Sequence, residues 1–108
     1  MSIKTLKPTL MSFLDSKKIP KAKGYYYLIT ILGTFSTETL LQTDITKIYE
    51  TVAHKHCTTV ASVEANIRYV KNHTENYTQY TNKELIKNLS LEYYETTKLN
   101  KTNSNIEW

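Results

Sequence analysis

Four side chains between positions 54 and 73 are of metal-binding types: His54, His56, Cys57 and His73. Zinc sites recruit such residues at tight, recurring spacings, usually as two close pairs. Here one cluster sits where a turn is expected, and no second pair answers it, so neither a metal nor another cofactor is expected. Cys57 has histidines beside it but no evident carboxylate partner, which makes it a turn residue and not a nucleophile. With no glycine-rich phosphate loop and no acid–base constellation, the sequence makes no case for an enzyme. The stretch that follows is richer. Arg68 is the only arginine, and a guanidinium fork is the usual bidentate reader of guanine. Ser62, Asn66 and Asn72 carry groups that hydrogen-bond to bases or phosphates. Ala61 and Ala65 permit close approach, and the backbone N–H groups of Thr59 and Val60 would welcome a phosphate at a helix start. The competing reading is an ordinary surface ion pair between Arg68 and Glu64, four residues apart.

These side chains need a helix to present them. Val60, Val63, Ile67 and Val70 recur at i, i+3, i+7 and i+10, and Thr58-Thr59 supplies the cap. At about 100° per residue the buried stripe centres on Val63 and Ile67. The outward face then carries Ala61, Ser62, Ala65, Arg68, Tyr69 and Asn72. A preceding helix begins at Thr43 or Asp44 and buries Ile45, Ile48, Tyr49, Val52 and Ala53, ending around His54–Cys57. Two amphipathic helices across so short a turn predict a helix-turn-helix over residues 43–75, its second member in the recognition position.

The rest of the chain reads as the body that holds this pair. Leu10, Phe13 and Leu14 mark a first helix, with Pro8 in its opening turn, and Ile19-Pro20 breaks it. From Gly24 to Leu32 the chain is apolar nearly all round, predicting a central buried helix, with a buried strand as the competitor. Tyr25, Tyr26 and Tyr27 are expected to pack in the core, with one hydroxyl left wet, and not to stack on bases. Thr81-Asn82-Lys83-Glu84 is a capping-box pattern before Leu85, Ile86 and Leu89. Residues 93–105 read as polar loop, and residues 105–108 are too short for a helix of their own, although Trp108 would gain by packing on the body. The expectation is an all-α, compact domain of five to six helices spanning residues 1–108.

Composition sets the outer bounds. Only two glycines and two prolines are present, which disfavours a many-turned β architecture. The apolar run at residues 28–32 falls far short of the roughly 20 residues of a membrane span, so no membrane partner is expected. No signal-peptide pattern is evident, and the one cysteine suits a reducing compartment, so the cytoplasm is the expected location. The charge is uneven. Residues 1–23 hold six lysines against Asp15, whereas the remainder holds eight positive and nine negative residues. A basic excess of this kind is compatible with attraction to phosphate and does not establish it.

The ordered motifs Ile19-Pro20-x-x-x-Gly24-Tyr25-x-Tyr27-Leu28, Ile45-Thr46-Lys47-x-Tyr49 and Val52-Ala53-x-Lys55-x-x-Thr58-Thr59-x-x-x-Val63-Glu64-x-x-Ile67-Arg68 carry a family likeness. With Lys101-Thr102-Asn103-Ser104-x-Ile106 near the end, the chain resembles the DNA-binding effector domain of the stage-zero sporulation protein A family of endospore-forming Firmicutes. The resemblance implies a six-helix fold, double-stranded DNA as partner, tandem homodimers on short duplex sites, contact with RNA polymerase and control of genes at entry into sporulation. Thr58, Thr59, Val63, Glu64, Ile67 and Arg68 match the family's recognition-helix motif, and Glu64 with Arg68 is the polar pair it would assign to DNA. The sequence departs from the pattern in three places. Ser62 and Ala65 stand where the family has further arginines, and the resemblance leads to the expectation of a shortened last helix and of no receiver domain. A receiver-less regulator would follow abundance or a partner. The alternative is a protein-interaction module that modulates the full-length regulator without reading DNA.

Overall fold

The computed structural model describes the backbone of residues 10–106 and the side chains of residues 10–97. Six helices and no strand occur among the described residues: α1 (residues 10–16), α2 (Lys23–Thr34), α3 (Thr37–Gln42), α4 (Ile45–Lys55), α5 (Val60–Asn72) and α6 (Asn82–Ile106). The fold is all-α. The expected positions of Pro8 and Trp108 lie outside the described residues.

The apolar segment from Gly24 to Leu32 is the central helix and not a strand. Tyr25, Tyr27, Leu28, Ile29, Ile31 and Leu32 are all buried around α2. A helix can bury every side because its backbone hydrogen bonds are satisfied internally. Tyr25 donates its hydroxyl to Asp15 Oδ1 at 2.8 Å, tying α2 to the end of α1, while Tyr26 points outward. Tyr25 and Tyr27 pack in the core as expected, but Tyr26 does not, because its position on α2 turns the whole ring outward.

α5 lies against α2 at Gly24. A Cβ atom at this position would come within 2.2 Å of the Asn66 carbonyl oxygen, so glycine lets the two backbones meet. α4 and α6 close the core, their Ile48, Val52, Leu85, Ile86 and Leu89 sharing one buried cluster with Val63 and Ile67 of α5.

Two local expectations are corrected. Helix α3 was not foreseen, because six residues burying only Leu40 leave no periodicity to read. Ser36 caps it by accepting from the Thr39 N–H at 3.1 Å, and Thr43 ends α3, leaving Asp44, the other expected start, as the N-cap of α4. Residues 93–105, expected as loop, continue α6, and Asn105-Ile106 forms its last described turn. No glycine or proline interrupts this stretch. Its threonines bond back onto the helix, Thr96 Oγ1 to Glu92 O at 2.9 Å and Thr97 Oγ1 to Tyr94 O at 2.9 Å. Tertiary ties hold the start of this stretch to α1 and the turn after it: Tyr93 packs on Phe13 with ring centroids 5.3 Å apart, and the preceding Glu92 pairs with Lys17.

The turn between α4 and α5 closes as a Schellman motif. Thr58 N–H donates to Ala53 O at 2.9 Å and Cys57 N–H to His54 O at 3.3 Å. Cys57 takes the left-handed position, φ 53°, where glycine is the favoured residue. Non-glycine residues there are penalised by about 1–2 kcal/mol, partly offset by glycine's greater unfolded-state freedom. Cys57→Gly is therefore expected to stabilise the protein by about 0.5–1 kcal/mol, read as a higher urea midpoint at unchanged slope. A lower midpoint would show that the cysteine side chain contributes more than its backbone strain costs.

Candidate nucleic-acid interface

α5 is fixed at its start by Thr59, whose Oγ1 accepts from Ser62 N–H at 3.0 Å. Val63, Ile67 and Val70 anchor its inner side in the core. The opposite side is open: Ala61, Ala65, Arg68, Tyr69 and Asn72 are exposed, and Ser62, Glu64 and Asn66 are half-buried along its edges. The nine candidate residues thus fall into four sets. Thr58 and Thr59 stand at the amino end, Ala65 and Asn72 run down the middle, and two polar edges flank them.

One edge holds Glu64 and Arg68. The guanidinium donates to Glu64 Oε2 at 2.8 Å, so the ion pair of the competing reading is present in the free protein. Both partners are about half exposed, and such i,i+4 pairs are worth only about 0.3–0.5 kcal/mol. Glu64 therefore steadies the fork without sequestering it. The other edge holds Ser62, Asn66 and Tyr69. Asn66 Nδ2 donates to Ser62 O at 2.8 Å, which spends its amide on its own helix. Tyr69 stacks on His73, centroids 4.1 Å apart, and stays 48% exposed. Asn72 Oδ1 accepts from Lys71 Nζ at 2.7 Å.

The histidines and the cysteine do not converge. His56 Nε2 bonds Thr30 Oγ1 at 2.7 Å and its ring meets Tyr27 edge-on at 4.9 Å, pinning the turn to α2. His54 is exposed on α4, and His73 caps the far end of α5. No group of three metal-ligating side chains forms among the described residues.

Several residues beside α5 carry no mark in the sequence. Lys71 has a buried stem, and its ammonium donates to Thr78 O at 3.2 Å, holding the segment before α6 against α5. Asn82 Nδ2 donates both to Tyr49 Oη at 3.1 Å and to Glu64 O at 3.0 Å, joining α4, α5 and α6 at one point. Burial pushes the Tyr49 phenol above its ordinary range. The capping box foreseen at Thr81 is formed, with Thr81 N–H donating to Glu84 Oε1 at 2.9 Å and Glu84 N–H to Thr81 Oγ1 at 3.1 Å. The capping pattern points to Thr81 and Glu84. The long-range role of Asn82 between them has no local signal.

The basic amino-terminal segment is partly neutralised. Lys17 is ion-paired with Glu92, whose hydrogen bond holds the ammonium above its ordinary value. Lys21 lies 3.6 Å from Asp15. Lys4 and Lys7 fall outside the described residues.

A capped, outward-facing helix, set by a short turn on a partner helix and locked to a helical core, is the arrangement of a helix-turn-helix domain. A family model described as "Sporulation initiation factor Spo0A C terminal" matches residues 11–107, and the chain belongs to that family. It is a family of DNA-binding domains in transcription regulation at sporulation, and not one of enzymes. No curated protein and no solved structure matched the chain. No helix among the described residues is long and apolar enough to cross a membrane.

Proposed function

We propose that this chain is a sequence-specific, double-stranded DNA-binding transcriptional regulator of the cytoplasm, reading its sites with α5. The observation that carries this reading is the open face of α5. Two alanines leave room for a base edge or a thymine methyl, and Arg68 offers a half-exposed fork beside them. Residues 43–75 form the reading unit of one domain spanning residues 1–108. Glu64 and Arg68 face base edges, Thr58, Thr59 and Ser62 sit near a phosphate, and Ala65 gives clearance. Asn66, Tyr69 and Asn72 line the remaining face. Tandem copies on DNA and a contact with RNA polymerase complete the reading.

The test is a fluorescence-anisotropy titration of a duplex carrying the sporulation regulator's binding box against a scrambled duplex, at two salt concentrations. Tighter, salt-sensitive binding to the box is the expected result, because phosphate neutralisation makes affinity fall with salt. A second reading is favoured by one observation: the outward face of α5 carries a single cation, and Glu64 already pairs it. A module that binds the full-length regulator, and no DNA even at low salt, would have such a face.

A further inference from the structure

Beside α5, on the flank that carries Glu64, Arg68 and Lys71, runs an open groove of about 490 Å³. Its far wall is the start of α4 and the start of α6, including Tyr49, Asn82 and Lys83. The lining holds three cations, Arg68, Lys71 and Lys83, against the single carboxylate of Glu64. That carboxylate is already engaged by Arg68 at 2.8 Å. Lys83 is exposed and makes no ion pair among the described residues.

The geometry of a helix in DNA says what such a groove meets. A helix with its side chains is about 10–12 Å across, and the major groove is about 12 Å wide. Each flank of a reading helix therefore lies beside a phosphodiester strand. Arg68 sits about 140° around α5 from Val63, at the border between the outward face and this flank. The groove is thus continuous with the proposed reading face through that residue.

We propose that this groove seats the sugar-phosphate backbone of one strand of the duplex that α5 reads, with Lys83 as the cation that contacts phosphate. The inference rests on the DNA-binding reading above. Lys71 is a positioning residue, since its ammonium is committed to Asn72 and the Thr78 carbonyl and fixes the approach to α6. Asn82 positions the adjacent Lys83 by donating its side-chain amide from α6 to Tyr49 on α4 and to the Glu64 carbonyl on α5. The phosphate contact comes from the carboxy-terminal half of the chain, and not from Lys17 and Lys21, which already face carboxylates.

The test measures anisotropy with the full chain on the binding-box and scrambled duplexes across a salt series. Lys83→Ala is expected to weaken binding to both duplexes equally. It should also make the slope of log affinity against log salt shallower by about 0.9, the value for one phosphate. Lys83→Arg should restore the slope, and Lys87→Ala, one turn further along α6 and outside the groove lining, should leave it unchanged. Thermal melts establish that each variant folds. Wild-type binding with an unaltered slope in Lys83→Ala overturns the assignment while DNA reading stands. Weakening confined to the box duplex would make Lys83 a base contact and also overturn it. If the wild type binds neither duplex at low salt, the DNA reading fails and this inference fails with it.

Discussion

Gly24→Ala is expected to destabilise the protein by about 3 kcal/mol, the upper end for overpacking a well-filled contact. Alanine is the better helix former by about 1 kcal/mol, so an unconstrained site would show the opposite sign. The site is constrained. The new methyl would stand 2.2 Å from the Asn66 carbonyl oxygen and 2.8 Å from its carbon, both main-chain atoms of α5. The third neighbour, Val70 Cγ2 at 3.0 Å, could yield by a small side-chain shift, but the first two move only if α2 and α5 separate. Separation opens the layer in which Leu28, Val63 and Ile67 are fully buried, and close-packed interiors lose contacts steeply with distance. Urea unfolding followed by far-UV circular dichroism reads the effect as a large drop in midpoint. A midpoint equal to that of the wild type would mean that the two helices do not meet at this spacing. The same displacement moves α5, so on the proposed reading a folded Gly24→Ala fraction should also bind DNA more weakly.

Arg68→Ala is expected to do the reverse, leaving the fold and removing discrimination. Its side chain is half exposed, and the pair it forms with Glu64 contributes only about 0.3–0.5 kcal/mol. The urea midpoint should hardly change. A bidentate contact to a base edge is worth about 1–3 kcal/mol, so the preference for the binding-box duplex over a scrambled one should fall roughly 5- to 150-fold. Arg68→Lys separates shape from charge, because an ammonium keeps the charge without the planar fork. It should preserve salt dependence and fail to restore the preference. Undiminished discrimination in Arg68→Ala would remove this residue from the reading set and move the task to Ser62, Asn66 or Asn72. Of these, Asn66 has spent its amide on Ser62, and Asn72 accepts from Lys71.

Much of this arrangement was legible in neighbouring residues. The stripes of Ile48, Tyr49, Val52 and Ala53 and of Val63, Ile67 and Val70 mark the buried faces of α4 and α5. Thr59 and the Thr81–Glu84 box announce their own helix starts, since each cap bonds a backbone group only three residues away. The outward exposure of Arg68 followed from helical periodicity alone. Its pairing with Glu64 was one of two open readings, and the packed helix presents it.

What the amino-acid sequence determined by itself is therefore whatever one helical turn can encode: which faces are apolar, where helices start and which family motif they spell. The tertiary structure decided the rest. α3 is too short and too lightly buried to show a period. The polar residues from 93 onward hold their helix partly because Phe13 and Lys17 of a distant segment hold Tyr93 and Glu92. The backbone contact at Gly24, the reach of Asn82 across 18 and 33 residues, and the basic groove on the flank of α5 all join segments far apart in the chain. Periodicity and capping are short-range interactions and leave a local pattern. A juxtaposition across dozens of residues exists only once burial has brought the helices together.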